Sequence, residues 1–166
     1  DKPQTIEDLK WNNYFKEVFL DSDTKIALIS SAPSDIPQDW FLTNDMTIAA
    51  RDRVNKEAGS KRMMAHAIFT PGQPGWLESL EHALSMKPDS IKGYTIGDNT
   101  NKDKSQYPWR MDDEKVTYRA YELAVKHGIK NICVHKGLFP TSIEQKFPHL
   151  LAYSDVRDVG KAAKDW

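Results

Sequence analysis

Four short apolar segments, each followed by one stretch of helical periodicity, set the main constraint on this chain. They begin near residues 25, 62, 90 and 131. Residues 25–30, 63–69, 90–96 and 132–135 read as strands. Between them, Met46, Ala50 and Val54 mark one helix face. Leu77, Leu80 and Leu84 mark a second, and Val116, Ala120, Leu123 and Ala124 a third. Strands that alternate with helices build β-α-β units around a parallel sheet, with right-handed crossovers. Two architectures suit the spacing: an open doubly wound sheet with helices on both faces, or a run of a (β/α)8 barrel with helices on one face. No GxGxxG and no GxxxxGK[ST] follows any strand, which disfavours the nucleotide-binding form of the open sheet. A complete barrel needs about 250 residues, so 166 residues supply about half of one.

The punctuation between the elements is explicit. Thr5-x-x-Asp8 is a capping-box-like start to an N-terminal helix carrying Trp11, Phe15, Val18 and Phe19. Asp45 is expected as the N-cap of the next helix and Gly59 as its stop. The third inter-strand helix is expected to begin at Asp112 or Asp113. Residues 155–166 (DVRDVGKAAKDW) read as a final helix. The chain starts at Asp1 without Met and stops within that helix. It is therefore expected to be a single partial barrel domain, 1–166, truncated at both ends.

Composition excludes some partners. The content is 39% hydrophobic and 28% charged, as in ordinary globular domains, and the net charge is −1. Lysines and arginines are spread along the chain, which gives no footprint for nucleic acid and no polybasic membrane patch. No apolar run approaches the ~18 residues of a membrane span. A single cysteine, Cys133, excludes an intrachain disulfide.

The segment KNICVHKGL places His135 at the end of a strand, sharing a face with Cys133, and Gly137 lets the chain turn after it. In α/β proteins the carboxyl edge of a parallel sheet is where ligands bind. An imidazole there either serves a site or is a satisfied core histidine. His66, between Ala65 and Ala67, reads as a core histidine. His82 and His127 read as structural helix residues, and His149 follows Pro148 in a loop. Residues 97–111 form a loop too long for a simple connector, on the carboxyl side of a strand. Trp109 and Arg110 are its candidates for substrate contact. Lys136 could line the mouth beside His135.

The segments VFLDSDTKIALISSAPS, AARDRVNKEAGSKRMMAHAIF, SIKGYTIGDN, HGIKNICVHKGLF and DVRDVGKAAKDW, taken in order, resemble the amidohydrolase-related family of metal-dependent hydrolases, which are TIM barrels. The resemblance covers nearly the whole chain. It implies that the four strands are the second to fifth of the barrel. It further implies a divalent metal, zinc, that activates water to hydrolyse a C–N or C–O bond of a small molecule. Some relatives decarboxylate instead. His135 falls on the family's metal-ligand position at the end of the fifth strand. The family's H-x-H pair has no counterpart here. This chain alone would then lack most of the metal site and be inactive, with no metal bound to it.

Within such a barrel, Ser90, Lys92 and Tyr94 share the lumen face. A buried ammonium is costly unless paired, so Lys92 is the catalytic candidate, holding an anionic substrate group. On this strand some amidohydrolase-type barrels carry a carbamylated lysine that bridges two metals. Tyr94, nearer the mouth, would donate a hydrogen bond to substrate. A half barrel also exposes two sheet edges and its lumen face, so self-association through them is expected, with two copies closing eight strands. A non-catalytic α/β module, with His135 structural, is the remaining reading.

Overall fold

The computed structural model describes Thr5 and residues 10–137 and 140–166. The Thr5–Asp8 start cannot be followed, because Asp8 lies outside the described residues. The first described helix, α1 (Trp11–Phe15), continues into a π-helical turn over Lys16–Leu20. Four strands follow: β1 (Ala27–Ile29), β2 (Met63–Ile68), β3 (Ser90–Tyr94) and β4 (Ile132–His135). They form one sheet in the order β1-β2-β3-β4, every pair parallel. The sheet curls into a half barrel. Three helices connect the strands: α2 (Asn44–Ala58), α3 (Trp76–Ser85) and α4 (Thr117–Lys126). The chain ends in α5 (Thr141–Lys146), α6 (Leu151–Ser154) and α7 (Val159–Asp165).

Strand alternation divides the sheet into two faces, and the helices take one of them. Val54 of α2 packs with Met63 and, across it, Ala27 and Ile29. Leu80 and Leu84 of α3, with Ala120, Tyr121 and Ala124 of α4, pack on Ala67 and Ile91. Each fully buried leucine of this layer stabilises the fold by about 2 kcal/mol. The opposite, inner face carries Leu28; Met64, His66 and Ile68; Ser90, Lys92 and Tyr94; Cys133 and His135. Helices on one side only exclude the doubly wound alternative. No helix of the described residues is long and apolar enough to cross a membrane.

Several expected boundaries shift, each for a visible reason. Helix α2 is capped by Thr43, not Asp45. The Thr43 backbone is extended and its hydroxyl accepts from Met46 N at 3.2 Å. Asp45 falls in the first turn, where its charge suits the helix dipole. Gly59, at φ +60°, ends α2 as expected. Strand β1 begins late because the carbonyls of Thr24 and Lys25 are taken by the Arg62 guanidinium, at 2.9 and 2.5 Å. Strand β3 ends at Tyr94 because Gly97 turns the chain back, its N–H donating to Tyr94 O. Helix α4 starts at Thr117, preceded by a turn in which Asp113 Oδ1 accepts from Lys115 N and Val116 N. The final helix expected over 155–166 is a 3-10 turn over Val156–Asp158 followed by α7.

Candidate functional site at the carboxyl edge of the inner face

The register places Tyr94 beside His135, and Lys92 between Ile68 and Cys133. These side chains therefore stand together on the inner face. The Tyr94 and His135 rings stack at 5.1 Å with 20° between their planes. The Lys92 ammonium lies 5.0 Å from the Tyr94 ring centroid, a cation–π distance. His135 reaches the surface at the edge of a cleft of about 220 Å³, lined also by Ile96, Asn99, Lys102 and Ser154. The partial burial of its ring holds the His135 pKa below the usual histidine value, and the charges of Lys92 and Lys102 add to this. The neutral imidazole thus favoured is the form that binds metals or accepts a proton.

Deeper on the same face, His66 Nδ1 and Ser90 Oγ are 2.5 Å apart, both residues buried. Burial, then the Lys92 charge, lowers the His66 pKa against a smaller opposing effect of Asp89. This is the arrangement of a satisfied core histidine. Tyr94 is buried, and its hydroxyl donates to Ser31 O at 3.1 Å. That proton is used to hold the loop after β1, so the ring rather than the hydroxyl faces the site.

Three residues expected to contact substrate are placed in structural roles. Trp109 is buried on the helix side of the sheet, tilted against Phe69 at 5.1 Å. It fits there because residue 93 is glycine. A Cβ on Gly93 would stand 2.4 Å from Trp109 Cζ2. The contact expected of Trp109 at the mouth is corrected to a core contact. Its N–H donates to Thr95 O, which draws the long loop back under the sheet. Arg110 holds Asp112 with two nitrogens, at 2.9 and 3.2 Å, and donates to Ala152 O at 3.1 Å. Its donors tie the loop to α6. Lys136 lines the same cleft as His135, while its ammonium enters a buried pair with Asp158 at 3.2 Å and donates to Tyr153 O at 2.5 Å. Burial lowers the Lys136 pKa, and the bond to Asp158 opposes that shift. Lys136 is therefore an anchor for the C-terminal segment.

The roof over this face depends on a residue named above only as part of a loop. The Asp98 carboxylate accepts from Ser34 Oγ, Asp35 N, Thr100 N, Thr100 Oγ1 and Asn101 N. Burial alone would raise its pKa. The hydrogen bonds outweigh that and bring it down to about 2. The sequence signal was the Gly-Asp-Asn-Thr run after a strand, a local side-chain-to-backbone turn pattern. Asp158 had no comparable signal, because its partners, Lys136 and Met111 N, are distant in sequence.

Among the described residues, no three His, Cys, Asp or Glu side chains gather into a group that could hold a metal ion. A catalytic zinc takes about three protein ligands. His135 would supply one at most, so these residues do not fit a complete metal site by themselves. No family model, no curated protein and no solved structure matches this chain.

Proposed function

We propose that the chain is part of a metal-dependent hydrolase of the amidohydrolase type, with its reaction centre at the carboxyl edge of the inner face. The observation that carries this reading is the position of His135. It ends a parallel strand, shares a face with Lys92 and Tyr94, and has its imidazole biased to the neutral form. In this reading His135 supplies one metal ligand, and elements beyond the four strands supply the others. The metal, zinc, would activate water for attack on a C–N or C–O bond. Lys92 is the catalytic side chain of the chain's own inner face, and the Tyr94 ring orients His135 by stacking. Two copies, or the remaining strands of a barrel, would cover the inner face and the unpaired edges of β1 and β4.

Equilibrium dialysis against zinc tests the assignment. Weak binding that is lost in His135→Ala, with an unchanged circular dichroism spectrum, supports it. Equal binding by both proteins rejects His135 as a ligand.

A further inference from the structure

The inner face holds a positive charge that no described residue neutralises. No ion pair or hydrogen bond from a described residue reaches the Lys92 ammonium; the Tyr94 ring face, 5.0 Å away, is the contact it makes. Its cross-strand neighbours are Ile68 and Cys133. Asp89 lies on the same segment, but its oxygens are taken by Lys61 at 2.6 Å, Ala65 N at 2.9 Å and Arg51 at 3.6 Å. Lys136 shows how this fold treats a lysine it uses for structure: it gives it Asp158 and a carbonyl. Lys92 is half-buried, so it has lost part of its hydration and still opens to a ligand. An ammonium in that position is costly until an anion joins it.

We propose that Lys92, flanked by His66 and His135, forms the binding site for the carboxylate of a small molecule. The ligand is singly charged because the strand residues of this face supply one ammonium, Lys92. The strand residues of this face include no arginine to grip a phosphate bidentately. Buried Ile68 and Ala32 and the partly buried Trp40, packed with Tyr94, strengthen the attraction by excluding water. The inference rests on the hydrolase reading only where it makes this carboxylate part of a substrate. Binding itself requires no metal.

The test is a titration of the metal-free chain with acetate, and separately with inorganic phosphate, followed by NMR of the His66 ring and Lys92 side chain. Saturable acetate shifts are expected in the wild type. Lys92→Met should weaken binding at least about tenfold, the scale of one charge-assisted contact. Lys92→Arg should retain it, and Lys126→Met, on the outer surface of α4, should leave it unchanged. Shifts that never saturate, or that persist in Lys92→Met, overturn the site. Tighter binding of phosphate than of acetate overturns the carboxylate assignment. Acetate binding with equal zinc binding by the wild type and His135→Ala rejects the metal-ligand assignment alone, and zinc binding lost in His135→Ala without acetate binding rejects this site alone.

Discussion

The two faces of the sheet are built on different principles. On the helix side, Ala67, Ile91, Phe69 and Trp109 meet Leu80, Leu84, Ala120 and Tyr121, and burial alone accounts for each residue. On the inner side, alternate positions of the same strands carry His66, Ser90, Lys92, Tyr94, Cys133 and His135. A face that only needed covering would be apolar there. The contrast is sharpest between the two lysines: Lys136, supplied with a carboxylate, and Lys92, supplied with an aromatic ring. One face spends its sequence on cohesion, and the other retains groups whose solvation cost cohesion does not explain.

Substitutions on the two faces should therefore differ in size. Trp109→Ala should cost the most, about 4 kcal/mol, because it removes a buried ring and leaves a void against Gly93. Chemical denaturation would measure it, and a loss below about 1 kcal/mol would refute the core placement. Asp158→Ala should cost about 3 kcal/mol by leaving Lys136 charged and buried without its partner. Restoration by the additional change Lys136→Met would show that the stranded charge, not lost packing, is responsible.

Asp98 gives a smaller effect tied to pH. Its folded pKa, about 2, lies below the ordinary carboxylate value of about 3.9. Its contribution is thus complete above pH ~4 and is lost as pH falls toward the folded value. Comparing unfolding of the wild type and Asp98→Asn should show a gap of about 2 kcal/mol at pH 6 that closes near pH 2. A constant gap would mean the carboxylate's charge is not what matters. Lys92→Met should have the smallest effect, within about 1 kcal/mol and toward greater stability. A large loss would make Lys92 a structural residue like Lys136.

How much of this could be read in the sequence follows the same division. The strand–helix order, the apolar faces of α3 and α4 and the Gly59 stop were legible because each rests on local periodicity or on a backbone angle; on α2 Met46 is exposed and Thr47, Ile48 and Val54 are buried instead. The start of β1 was not, since the Arg62 side chain sets it from across the sheet. At the site, alternation correctly grouped Lys92 with Tyr94, and Cys133 with His135. Trp109 could not be placed from sequence, because adjacency in sequence does not say which side of the sheet a loop returns to. That choice was made by Gly93, whose missing Cβ leaves room for the indole.

The Asp98 carboxylate also has a dynamic consequence. Five donors from two separate chain segments converge on it. The stretch after β1 and the stretch after β3 are thereby coupled, since parting them takes from an ionised carboxylate the donors of Ser34 and Asp35. Hydrogen exchange at the Asp35 and Asn101 amides should accordingly report a single shared opening event. Small molecules would enter from the flank near His135 rather than by lifting that cover.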